Sequence, residues 1–211
     1  MIVVIRRLAT SLIFLSVLVA QAASATPVSQ KTLLVYGDSL SAAYGLEIQQ
    51  GWVSLLQEKL HQTKSGWKVV NLSISGETTA GGLSRLPAAL EEHRPELMLL
   101  ELGANDGLRG TSLKSISGNL EQMIQLAQKK NVEVLLFEMM IPPNYGPAYT
   151  RQFTRVFHDL GEQYTVQVVP FFLDGVAGHP ELNQPDGIHP TAKAQPKIFD
   201  NVWPRIKAAL D

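Results

Sequence analysis

Residues 32–41 read Thr-Leu-Leu-Val-Tyr-Gly-Asp-Ser-Leu-Ser. The first five residues are apolar or β-branched without a break, too short for a helix and too continuous for a half-exposed strand. Such a run predicts a strand buried on both faces, closed by a glycine turn. Four similar runs follow at 68–72, 97–102, 133–137 and 166–169. The segments between them carry apolar stripes at helical spacing: Trp52, Leu55, Leu56 and Leu60; Leu83, Leu86 and Leu90, with Pro87 interrupting; Ile116, Leu120, Met123, Ile124 and Ala127; Phe153, Val156, Phe157, Leu160 and Tyr164. A last stripe, Ile198, Val202, Ile206 and Leu210, follows the fifth run. Strands alternating with helices require a parallel sheet covered on both sides. Right-handed crossovers then predict a three-layer α/β/α, flavodoxin-like fold with a five-stranded parallel sheet in the order 2-1-3-4-5. Ligands of such sheets bind beyond the carboxyl ends of the strands, so the loops after the strands are where chemistry belongs.

Working outward to the N-terminus, Arg6 and Arg7 precede an apolar stretch over 8–20, and Ala23-Ser24-Ala25 supplies a small-x-small cleavage site. This order predicts a secretory signal peptide over 1–25, removed to leave one domain over 26–211. The apolar stretch is too short to span a membrane, so no stable anchor is expected after cleavage. Removing 25 of 211 residues leaves 186, enough for a packed core. The signal takes two arginines and no acid, so the net charge of −1 becomes −3. No basic run remains, which argues against nucleic acid as a partner. There is no cysteine, hence neither a disulfide nor a thiolate metal site.

Four loops carry reactive side chains. Ser39 leaves the first strand behind Gly37; alone, such a serine is more often a turn or cap residue. Gly76, in Ser75-Gly76-Glu77 after the second strand, can bring a backbone N–H close to a ligand oxygen. Asn105, in Gly103-Ala104-Asn105-Asp106-Gly107 after the third, has an amide able to donate to an oxyanion, although the string is also ordinary turn chemistry. Asp186-Gly187-Ile188-His189-Pro190 offers a base with an acid three residues away, and Pro190 suits the first turn of the last helix. Together these loops hold a nucleophile, oxyanion donors and an acid–base pair, the parts needed for acyl transfer. A Gly-x-Ser-x-Gly elbow is absent from the sequence. His61, His93, His158 and His179 show no metal-ligand spacing, and Asp174 with His179 is a weaker acid–base pair in a glycine-rich stretch. No metal or organic cofactor is expected. The loop after the fourth strand, with prolines at 142, 143 and 147, forms a candidate wall. Leu108, Ile141, Pro142 and Tyr145 are its candidate apolar contacts to substrate, or equally buried loop anchors.

The four loop segments resemble, in order and separation, the sequence blocks of the SGNH or GDSL hydrolase superfamily. The resemblance runs over essentially the whole mature chain. Leu108-Arg109-Gly110 and Pro143-Asn144-Tyr145-Gly146 narrow it to the bacterial periplasmic thioesterase, arylesterase and lysophospholipase group. It implies that Ser39 is the nucleophile, that His189 is the base and that Asp186 orients it. It also implies an oxyanion hole formed by the N–H groups of Ser39 and Gly76 and the Asn105 amide. Ala43 and Ala104 stand where the family often has glycine. The expected substrates are small-molecule or lipid acyl esters and thioesters, handled by a monomer in the periplasm or outside the cell. A carbohydrate acetylesterase with the same machinery, and a non-catalytic binding protein on the same fold, are the alternatives.

Overall fold

Burial on both faces separates the central strands from the edges. In β1 (Lys31–Gly37) residues Leu33 to Tyr36 have no exposure, and β3 (Leu97–Glu101) beside it is buried throughout. β2 (Trp67–Asn71) and β5 (Gln167–Val169) are only partly covered, as edge strands are, and β4 (Glu133–Phe137) lies between β3 and β5. All pairs are parallel, and the order is β2-β1-β3-β4-β5, as the sequence pattern predicts. This computed structural model describes residues 30–63 and 65–210, so the expected signal peptide and its cleavage site lie outside the described residues.

The helical stripes cover the two faces of the sheet. α1 (Trp52–Gln62) packs with α6 (Gln195–Leu210) on one side; α2 (Thr79–His93), α4 (Leu113–Lys129) and α5 (Pro147–Tyr164) form the layer on the other. In α4 the buried residues are the five of the predicted stripe. Each leucine or isoleucine moved from water into such an interior contributes about 1.5–3 kcal/mol. Trp52, Phe137 and Phe172 form an aromatic cluster beneath α1, with the Phe137 and Phe172 rings edge to face at 5.4 Å. α2 continues through Pro87 despite the missing N–H donor, because Leu86, Ala89 and Leu90 are buried on its inner face. No helix among the described residues is long and apolar enough to cross a membrane.

Two local expectations are corrected. The Asn105 segment is a single helical turn, α3 (Ala104–Leu108), rather than an open loop. α6 begins at Gln195, not at Pro190. Pro190 instead forms an antiparallel bridge with Asn183, inside the long connection over 170–194.

Candidate active site

The carboxyl ends of β1 and β3 lie side by side, Gly37 opposite Glu101, and the polar loops start from there. After Gly37 the chain coils at once. Asp38 Oδ1 accepts the Leu40 N–H at 3.0 Å, and the Asp38 carbonyl accepts the Ala42 N–H at 3.0 Å. This turn brings Ser39 to the mouth of the sheet with 8% exposure, close to the His189 loop.

His189 reaches Ser39 from 150 residues away. Its Nε2 lies 2.9 Å from Ser39 Oγ, and its Nδ1 lies 2.7 Å from Asp186 Oδ2. The acid is preorganised. Asp186 Oδ1 accepts the N–H groups of Ile188 and His189 at 2.9 and 3.0 Å, around Gly187 in the left-handed region. The His189 N–H first, then the Ile188 N–H and the His189 ring, hold the Asp186 carboxyl down at about 2. It is therefore an anion throughout the neutral range. An anionic acceptor at Nδ1 puts the ring proton there and leaves Nε2 free to accept the Ser39 hydroxyl proton.

The bridge, not a helix start, fixes this loop. Gln184 N–H donates to the His189 carbonyl at 2.7 Å, and Thr191 N–H donates to the Leu182 carbonyl at 2.8 Å. Gln184 Nε2 also donates to the carbonyls of Tyr44 and Pro190, tying the Ser39 loop to the His189 loop. The Tyr44 ring covers the imidazole at a centroid distance of 4.4 Å. Sequence reasoning gave neither Tyr44 nor Gln184 a role, and their contact joins residues 140 apart in the chain. The weaker pair does not form: His179 lies 3.5 Å from Glu181 rather than meeting Asp174.

Three candidate donors stand just after β1, β2 and β3. The N–H groups of Ser39 and Gly76 donate to no backbone carbonyl among the described residues. Gly76 has φ +79°, a conformation that a residue with a Cβ enters only with strain. Asn105 stands in the first turn of α3, and its Nδ2 spends one hydrogen on Asp38 Oδ2 at 3.0 Å, leaving the other available. The second and third loops are locked together. Asp106 accepts from the Thr79 N–H and Oγ1 at 2.8 and 2.7 Å, and Arg109 Nη2 donates to the Gly76 carbonyl at 3.2 Å.

The two alanines behave differently. Ala43 adopts φ +57°, which costs a non-glycine residue roughly 1–2 kcal/mol. Ala104 is an ordinary helical residue, because Gly103 before it takes the positive φ, at +122°. Of the candidate apolar contacts, Ile141 is a loop anchor. It is 6% exposed and packs where a Cβ on Gly107 would come within 2.8 Å of it. Leu108 is half-buried, Pro142 and Tyr145 are exposed, and Tyr145 Oη donates to the Leu108 carbonyl at 3.0 Å. A cleft of about 640 Å³ along α5, lined by Met140, Arg151 and His158 among others, contains none of the reactive residues.

Comparison with known proteins bears on the family and the fold. Residues 35–195 match the model of the GDSL-like lipase/acylhydrolase family. Esterase TesA of Pseudomonas aeruginosa is 51% identical over 180 residues, covering 85% of this chain and 90% of that protein. Thioesterase 1/protease 1/lysophospholipase L1 of Escherichia coli K12 is 42% identical over 188 residues, covering 89% and 86%. The crystal structure of the psychrotrophic esterase EstA from Pseudoalteromonas sp., inhibited by monoethylphosphonate, superposes with a TM-score of 0.82 at 46% identity and covers 85% of this chain and 98% of that one. By sequence, by fold and by the extent of both matches, the chain belongs to the GDSL-like lipase/acylhydrolase family.

Proposed function

We propose that Ser39, His189 and Asp186 carry out acyl transfer to water in this serine ester hydrolase, with the N–H groups of Ser39 and Gly76 and the Asn105 amide holding the oxyanion. The carrying observation is the continuous relay from Ser39 Oγ to His189 Nε2 at 2.9 Å and from His189 Nδ1 to Asp186 Oδ2 at 2.7 Å. His189 takes the Ser39 proton as Oγ attacks the carbonyl carbon. The tetrahedral oxyanion collapses, the leaving alcohol or thiol departs with a proton from His189, and Ser39 carries the acyl group. Water gives a proton to His189, attacks the acyl carbon and releases the acid, and the proton returns to Ser39.

The substrates are aryl esters, acyl thioesters and short-to-medium acyl esters, with lysophospholipids within reach. The relatives named esterase, thioesterase and lysophospholipase support that breadth. Exposed apolar side chains on loops at this end of the sheet support it too. Tyr44 covers His189, Ile188 adjoins it, Ile74 precedes the Gly76 turn, and Tyr145 touches Leu108. The carbohydrate-acetylesterase and binding-protein alternatives are not favoured. In this reading residues 1–25 direct export, and the domain over 26–211 works as a monomer in the periplasm. Cell fractionation and the N-terminus of the exported protein check this: an N-terminus at Thr26 supports it, and an uncleaved cytoplasmic chain opposes it.

A fluorophosphonate probe followed by peptide mapping tests the mechanism. A single adduct on Ser39 is expected, and ester turnover without labelling of Ser39 overturns the reading. A series of p-nitrophenyl and acyl-CoA esters of increasing chain length tests the apolar rim; a flat profile removes it. Asn105→Ala should lower kcat by roughly 10²–10³ while leaving KM little changed, because the amide acts where negative charge develops. A fall confined to KM would make Asn105 a substrate-binding group instead.

A further inference from the structure

β3 ends on an acid. Glu101 is fully buried in the central strand, between Leu100 and Leu102. Its Oε1 has no hydrogen-bond partner among the described residues. Burial first, and the nearby Asp38 charge second, push its carboxyl well above the usual carboxylate range. An unfolded chain would release that proton, so this group weakens the fold progressively as pH rises from the ordinary carboxylate range. An apolar side chain would serve the core better.

The contacts of Glu101 lead to the nucleophile turn. Its Oε2 accepts the Asp38 N–H at 3.2 Å and the Ser41 hydroxyl at 2.6 Å. These residues flank Ser39 on either side, so one oxygen holds both arms of the turn. Asp38 passes the constraint on, since its Oδ2 holds the Asn105 amide at 3.0 Å. Asp38 is itself buried, which pushes it up to about 6 against the pull of the Leu40 N–H, His189, Asn105 and the Glu101 carboxyl. Gly37 leaves the room: a Cβ there would collide with Glu101 Oε2.

We propose that Glu101 is a positioning residue for ester hydrolysis: its Oε2 fixes the Asp38 and Ser41 arms of the nucleophile turn and, through Asp38, the Asn105 amide. This rests on the reading of Ser39 and Asn105 given above. Glutamine keeps a carbonyl acceptor where Oε2 stands, so it should replace Glu101, and a side chain of similar length without a strong acceptor should not.

Steady-state hydrolysis of p-nitrophenyl acetate by the full domain tests this. Glu101→Gln should keep kcat and KM near wild type. Glu101→Met should lower kcat by about 10²-fold at nearly constant KM, as expected for a small displacement of reacting groups. Wild-type kcat in Glu101→Met overturns the proposal, and so does a loss in Glu101→Gln as deep as that in Glu101→Met. If Glu101→Met does not fold, Ser41→Ala decides. It removes only the hydroxyl that Glu101 holds and should lower kcat by roughly tenfold, the rate equivalent of one ordinary hydrogen bond; an unchanged kcat overturns the proposal. Phosphonate labelling of the wild type separates the two levels. Without an adduct on Ser39 the hydrolase mechanism itself fails, whereas an adduct with indifferent Glu101 and Ser41 variants refutes the positioning role alone.

Discussion

Ser39→Ala should lower kcat for p-nitrophenyl acetate by roughly 10⁶-fold and abolish the acyl-enzyme adduct in intact-mass spectra. The size of the loss follows from what the hydroxyl does. Without Oγ there is no acceptor for the acyl group, and the two-step path reduces to direct attack by water. The oxyanion donors survive the substitution, since Gly76, Asn105 and the residue 39 N–H remain, so a residual rate of about 10³–10⁴ over the uncatalysed reaction is expected. The loss should therefore exceed that of Asn105→Ala, which removes one donor and leaves the nucleophile. Combining Ser39→Ala with His189→Ala should cost little more than either alone, because the two act as one unit. Ser41 is no substitute: its hydroxyl is buried and donates to Glu101. Wild-type turnover by Ser39→Ala would place the nucleophile elsewhere.

The parts of the fold that were legible in sequence are those whose signal is local and periodic. The run over 33–36 is apolar at every position because β1 is covered on both faces, and the α4 stripe repeats at helical spacing because one face of that helix is buried. The candidate site was legible as well: Ser39, Gly76 and Asn105 come soon after β1, β2 and β3, Asp186 and His189 lie in the connection after β5, and their conjunction suits one chemistry. Other features were hidden by distance. Gln184 meets the Tyr44 carbonyl across 140 residues, and Asn183 pairs with Pro190 inside an irregular loop, so neither has a periodic signature. Pro190 suited a helix start on local grounds, and the tertiary bridge prevailed. Ile141 reads as wall or anchor in sequence, and its burial against Gly107, a tertiary contact without local signature, makes it an anchor. Glu101 did leave a trace, as an acid within the otherwise apolar run over 97–102. A charge inside a central strand is costly enough to mark a site, and its partners on the β1 turn become visible only in three dimensions.

His189→Ala should match Ser39→Ala, with kcat roughly 10⁶-fold below wild type, because a serine hydroxyl without a base is a poor nucleophile at neutral pH. Asp186→Asn separates orientation from basicity. The substituted side chain could still accept the Ile188 and His189 N–H groups through its carbonyl oxygen, so the turn around Gly187 should persist. Its amide would then face His189 Nδ1 as a donor and force that nitrogen to accept. The ring proton would move to Nε2 and point at Ser39 Oγ, the wrong tautomer for taking the hydroxyl proton. A loss of about 10⁴-fold in kcat is expected from that inversion alone. The pH profile supplies an independent check. Asp186 stays ionised down to about pH 2, so its own titration cannot produce an acid limb between about pH 4 and 8 in the wild type. In Asp186→Asn the rate should stay low across that range, since raising the pH does not restore the tautomer. Recovery to within about tenfold of wild type at high pH would show that Asp186 tunes the basicity of His189 rather than its orientation.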